Sequence, residues 1–165
     1  MISHLLAVTA IVLEHGGNET EAIGALLHDA AEDAGGRRTL AAIKRKFGTR
    51  VAAIVAGCSD TFETPKPAWL KRKTNYLHHL KTASASVQLV SAADKLHNLQ
   101  SIAADYREIG EALWGRFGAP KAGTLWYYRE LAGIYVRARL RSIEFKRLAR
   151  RVNETMRAVH RAARA

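Results

Sequence analysis

Apolar positions fall at helical spacing almost from the first residue. Leu5, Leu6, Val8, Ile11, Val12 and Leu13 predict a helix over residues 2–15, stopped by Gly16-Gly17. Asn18, with Glu21 three residues on, has the form of a capping box. Ala22, Ile23, Ala25, Leu26 and Ala30 supply the stripe of a second helix reaching Glu32. Ala34-Gly35-Gly36 ends it, and Thr39 is placed to cap a third helix whose core face is Leu40, Ile43 and Phe47. Gly48 breaks that helix and residues 51–55 open another. A polar, proline-bearing loop is expected over 59–69, helices over 70–80 and 86–102, and a loop over 115–123. Residues 124–164 read as one or two helices with a break near Gly133. No stretch alternates as a strand would and no segment repeats, so the expected fold is all-α.

Composition alters this little. The chain has 165 residues, 48% hydrophobic and 25% charged, as a one-domain globule would. With three prolines, long stretches run free of helix breakers. The lone Cys58 forms no internal disulfide, which fits a reducing cytoplasm, and in its apolar run it reads as a small buried hydrophobe rather than a nucleophile. The apolar start lacks the basic stretch of a signal peptide, and no apolar run nears the ~20 residues that cross a bilayer.

Charge is informative. The net value of +11 is uneven: from Arg137 onward ten Lys/Arg face Glu144 and Glu154, whereas the rest of the chain carries 16 basic and 13 acidic residues. Ala138, Leu140, Ile143, Leu148, Val152, Met156 and Val159 interleave with these arginines at helical rhythm. The simplest reading is an amphipathic helix packed on the domain or on a second subunit, with its arginines in solvent. Contact with nucleic acid or an anionic membrane is the sharper alternative, although no base-reading motif accompanies the charge.

Candidate chemistry gathers where ionisable groups interrupt apolar helices. His28-Asp29 follows Ala25-Leu26-Leu27; Glu32 lies four residues from His28 and three from Asp29, and Asp33 four from Asp29. Burying such a cluster unpaired is costly, so a metal or ligand is its natural partner. His4 on the first helix and Asp94 in a later apolar helix complete a sphere of two imidazoles and two carboxylates. That donor set suits Mn, Fe, Zn or Mg-like ions and leaves positions open for water and substrate. His97 reads as a structural hydrogen-bonding residue, His78-His79 as a surface pair, and His15 as a helix-end residue.

The order His, His-Asp, Asp resembles the HD superfamily, and the details resemble the hydrolase domain of RelA/SpoT homologues and small alarmone hydrolases. Those proteins read ISH or INH, then ALLHD-x-x-ED, then phenylalanine-glycine after T-x-x-x-I, then LADRLHN. This chain reads Ile2-Ser3-His4, Ala25-Leu26-Leu27-His28-Asp29-Ala30-Ala31-Glu32-Asp33, Thr39 to Ile43, Phe47-Gly48, and Ala93-Asp94-Lys95-Leu96-His97-Asn98. The resemblance implies an HD-domain helical bundle over residues 1–135; the charge and rhythm of residues 136–165 make them a basic helical extension expected to pack on it. It implies His4, His28, Asp29 and Asp94 as ligands of a divalent ion, typically Mn2+, and Glu32 and Asp33 as the catalytic pair acting on the attacking water. It implies Asn98 and Tyr128 as substrate-binding, with Tyr127 the neighbouring alternative to Tyr128. Lys66, Arg72 and Lys73 would meet diphosphate charge.

The implied reaction is hydrolysis of the 3′-pyrophosphate of (p)ppGpp, the stringent-response alarmone, to GDP or GTP and pyrophosphate. The alternatives are another nucleotide, such as an adenine alarmone, or a non-catalytic nucleotide- or polyanion-binding HD protein. Family members carry a further helix with an Arg-Lys stretch before the first histidine. Here His4 follows Met1 by three residues. The base is therefore expected to be held differently, or the native start to lie upstream. At this length no synthetase domain is expected beside the hydrolase.

Overall fold

The computed structural model describes residues 2–138 and 142–164. Its helices are α1 (Ile2–Glu14), α2 (Glu19–Leu26), α3 (Ala30–Asp33), α4 (Gly36–Phe47), α5 (Thr49–Cys58), α6 (Trp69–Thr82), α7 (Ala85–Ile109), α8 (Lys121–Arg137) and α9 (Ile143–Ala162), with a 3-10 turn over Gly110–Arg116. Among the described residues there is no strand, as the patterning predicts, and no helix is long and apolar enough to cross a membrane.

The 25-residue α7 is the axis of the bundle. Its first half is buried continuously from Val87 to Asp94, so apolar residues surround it on every side. Val8 and Val12 of α1, Leu131 and Tyr135 of α8, and Leu148 and Val152 of α9 close on it. Ser91 ties three helices together at buried hydroxyls, 2.8 Å from Tyr76 Oη on α6 and 2.7 Å from Tyr135 Oη on α8. A smaller core of Ala31, Ile43, Val51, Ala52 and Val55 lies under α3–α5.

Several expected boundaries move, each for a local reason. The helix expected through Glu32 ends at Leu26; Leu27–Asp29 form a tight turn and α3 restarts at Ala30. His28 drives the break, because its Nδ1–H donates to Ala25 O at 2.7 Å and its own N–H points to the same carbonyl at 3.4 Å. Thr39 does not cap α4. That helix starts three residues earlier, after Gly35 turns the chain at φ 77°, and Thr39 Oγ1 bonds back to Ala34 O. Phe47, expected in the core, is 40% exposed at the helix end.

Gly133 lies inside α8 rather than at a break; the interruption comes after Arg137. Ser142 caps α9, its Oγ accepting from Phe145 N–H at 3.1 Å. Much of the loop expected from residue 115 is replaced by the 3-10 turn and by α8 beginning at Lys121. Of the expected apolar rhythm in the basic segment, Leu148, Val152, Met156 and Val159 are buried, Ile143 is exposed, and Leu140 lies outside the described residues. His15 is buried: Nδ1–H donates to Ile11 O at 2.8 Å, and Nε2 faces Arg151 Nη1 at 3.3 Å, joining α1 to α9.

Candidate metal centre

Three elements bring four donors to one point. The ligand atoms of His4 (α1), His28 and Asp29 (the α2–α3 turn) lie within 4.8 Å of one another. Asp94 Oδ1, from the middle of α7, stands 3.2 Å from His4 Nε2 and 3.7 Å from His28 Nε2. Asp29 Oδ1 is 3.2 Å from His28 Nε2, and Asp29 Oδ2 is 3.8 Å from His4 Nε2. Asp29 reaches this point because the backbone unwinds there; in an unbroken helix it would point about 100° from His28.

The tautomers follow from the hydrogen bonds. His28 spends its Nδ1–H on Ala25 O, so Nε2 is the nitrogen left to face the carboxylates and to take an ion. That nitrogen is buried and has no hydrogen-bond partner among the described residues. His4 Nδ1 contacts His97 Nδ1 at 2.9 Å, and donation from His4 leaves its Nε2 bare. Two imidazole nitrogens and two carboxylates fit a divalent ion, and an orphaned buried nitrogen aimed among them is what such an ion would satisfy.

Burial disfavours a charged His28, yet Asp29 and Asp94 outweigh it and raise its pKa to about 10, so the two carboxylates hold a proton on this ring, and a divalent cation would take that proton's place. Burial likewise opposes the charge on Asp94, but Lys95 and the two imidazoles hold that carboxyl well below its usual range. Lys95 Nζ meets Asp94 Oδ2 at 2.5 Å, and Asn98 Nδ2 donates to Oδ1 at 2.7 Å. The Asp94 carboxylate keeps its charge and is fixed in direction.

The centre opens into a cleft of about 310 Å³, which Asp29, Glu32, Asp33, Asp60 and Asp94 line against only two lysines, Lys73 and Lys95. A phosphate entering so acidic a cleft needs a cation there to meet it. Glu32 Oε1 pairs with Lys66 at 3.3 Å, and its Oε2 accepts from the Asp60 N–H at 3.3 Å. Asp33 sits exposed on the rim. A second hollow, about 360 Å³, adjoins the first across Glu32; Arg37 there lies 5.8 Å over the Phe62 ring.

Of the residues expected at substrate, Lys73 and Asn98 line the cleft and Lys66 stands at its edge. Arg72 faces elsewhere: with Lys73 it grips Asp60 Oδ2, at 2.5 and 2.7 Å. Tyr128 packs, half-buried, beside Leu99, Ile102 and Trp114, and its neighbour Tyr127, the alternative to it, lines the cleft with Lys73 Nζ 5.1 Å over its ring. Asp60, Tyr76 and Lys95 are cleft residues that sequence reasoning missed. Lys95 carried a signal, since it adjoins Asp94 in an apolar helix; Asp60, in a polar loop, carried none. Cys58 also lines the cleft, half-buried, and burial pushes its thiol up, away from nucleophilic use.

A fold of this kind around a His/His-Asp/Asp centre defines a phosphohydrolase-type helical domain, and comparison places it. Residues 1–123 match the HD domain family, and the chain belongs to that family. A probable GTP pyrophosphokinase of Mycobacterium leprae (strain TN) is 34% identical over 104 residues, 61% of this chain but 13% of that protein. The chain thus spans about an eighth of that relative's length. The crystal structure of lmo0812 from Listeria monocytogenes EGD-e superposes with a TM-score of 0.78 at 28% identity, covering 93% of this chain and 99% of that one.

Proposed function

We propose that this HD domain hydrolyses the 3′-pyrophosphate of (p)ppGpp, releasing GDP or GTP and pyrophosphate, with a divalent ion held by His4, His28, Asp29 and Asp94. The observation that carries this reading is the convergence of those four donors beneath Glu32 and Asp33 in one acidic cleft. The name of the Mycobacterium leprae relative supports a guanosine pyrophosphate as the substrate class.

The ion, manganese by the family resemblance, would supply positive charge to the phosphoryl oxygens and acidify water bound to it. The chain's own groups do the rest. Glu32, oriented by Lys66 and the Asp60 N–H, takes the proton of the attacking water, and Asp33 beside it completes the pair. Attack falls on the phosphorus bonded to the ribose 3′ oxygen; that P–O bond breaks, and the 3′ oxygen leaves as the hydroxyl of GDP or GTP, taking the proton that Glu32 removed from the water. Lys73 meets the charge of the pyrophosphoryl group, and Asn98 holds the Asp94 carboxylate in place. The adjoining hollow past Glu32 gives the nucleoside end room to extend.

The test is product analysis with ppGpp in manganese and in EDTA. Manganese-dependent release of GDP and pyrophosphate is expected. No turnover with manganese demonstrably bound would overturn the substrate reading, and faster turnover of an adenine alarmone would transfer it to that nucleotide.

A further inference from the structure

A groove of about 490 Å³ lies apart from the metal cleft, between α8 and the C-terminal half of α9, lined by Arg129, Arg137, Arg157, Arg161 and Arg164. Two helices and a residue just past the end of α9 therefore bring five arginines to one concavity. The single carboxylate lining it, Glu130, lies 3.9 Å from Arg129. Among the described residues no carboxylate comes within ion-pair distance of Arg137, Arg157, Arg161 or Arg164.

This arrangement has a cost. Arg157 and Arg161 are four residues apart on one face of α9, and Arg164 follows just past its end, so like charges gather there, which weakens a helix. The α9 dipole favours cations in its last turn, but Arg157 lies before that turn, and Arg137 enters from another helix. Gly133 has no side chain, and a Cβ there would come within 3.0 Å of both Arg137 terminal nitrogens, so glycine lets that guanidinium lie back along the wall. His160 is fixed by Nε2–H donation to Leu125 O at 3.2 Å, and Met156 gives an apolar patch beside it.

We propose that this groove is a second ligand site, separate from the metal cleft, for a compact oligophosphate: the phosphate chain of a nucleoside polyphosphate or of inorganic polyphosphate. Guanidinium forks converging on one cavity match several phosphate oxygens at once. The volume is that of a small-molecule pocket. No Phe, Tyr or Trp ring is among the described residues lining the groove to stack successive bases, which disfavours a nucleic-acid strand. The site stands whatever the substrate of the metal cleft.

Calorimetric titration of the full chain with inorganic tripolyphosphate, in EDTA so that metal-dependent binding is absent, tests this. One equivalent should bind. The Arg157→Ala/Arg161→Ala double variant should bind at least tenfold more weakly, with no fall in its unfolding temperature, and Lys73→Ala should bind like the parent. A parallel titration with GTP separates the sources: tighter binding than tripolyphosphate identifies a nucleotide, weaker binding an inorganic chain. No binding, binding unaffected by the double variant, or binding lost in Lys73→Ala would overturn the proposal. So would a ten-nucleotide oligouridylate that binds tenfold tighter than tripolyphosphate, which would assign the groove to RNA.

Discussion

His97 Nδ1 stands 2.9 Å from His4 Nδ1, the two rings meeting edge to face at 4.8 Å between centroids. One nitrogen donates and the other accepts, and donation by His4 leaves its Nε2 bare toward Asp94 and Asp29. Burial first, and then His4, lowers the pKa of His97, which suits it to accept as the neutral ring. His97 thus fixes the tautomer and direction of a candidate ligand without facing the ion itself.

His97→Ala is therefore expected to weaken divalent-ion binding by about 10- to 100-fold while leaving the helical content unchanged. Isothermal titration with manganese beside circular dichroism measures both. Unaltered affinity would show that His4 needs no such partner.

Glu32→Gln preserves size and removes the base. Turnover should fall by about 10² or more, as loss of a general base does, with manganese affinity within about twofold of the parent. Loss of the ion itself would move Glu32 from the proton-handling role to that of a ligand.

Asp60 carries a pH dependence. Its burial opposes ionisation, but Lys73 and Arg72 prevail and hold its carboxyl below the usual range. The sign follows: a depressed carboxylate stabilises the fold above its unfolded pKa of ~3.9, and that stability is lost as pH falls through the lower folded value. Asp60→Asn leaves two cations without their carboxylate and should cost about 3 kcal/mol near neutrality. Denaturant unfolding should show the gap between variant and parent closing below about pH 4. A gap independent of pH would mean that the ion pairs contribute nothing.

The two adjacent tyrosines should behave differently. Tyr127→Ala, at the cleft, is expected to raise KM for the nucleotide several-fold. Tyr128→Ala, packed against the core, should cost about 3 kcal/mol of stability. Steady-state kinetics and thermal melts on the pair of variants separate these outcomes, and the reverse pattern would assign the substrate contact to Tyr128.

The sequence by itself determined the all-helical architecture, because apolar spacing, the Asn18–Glu21 capping box and the scarcity of proline are local signals. It also marked His4, His28, Asp29 and Asp94, since an ionisable group amid apolar helix residues is costly without a partner. Tertiary structure decided what spacing along the chain cannot. Which of Tyr127 and Tyr128 faces the cleft depends on the rotation of α8 against α6 and α7, set by packing far from either residue. Asp60 looks like any loop carboxylate until the start of α6 brings Arg72 and Lys73 onto it. The turn at His28-Asp29 replaces an expected helix because one imidazole takes a backbone carbonyl, and burial of that ring holds the bond. The arginines of α9 read as a solvated stripe in sequence; only the antiparallel packing of α8 beside them closes that stripe into a groove.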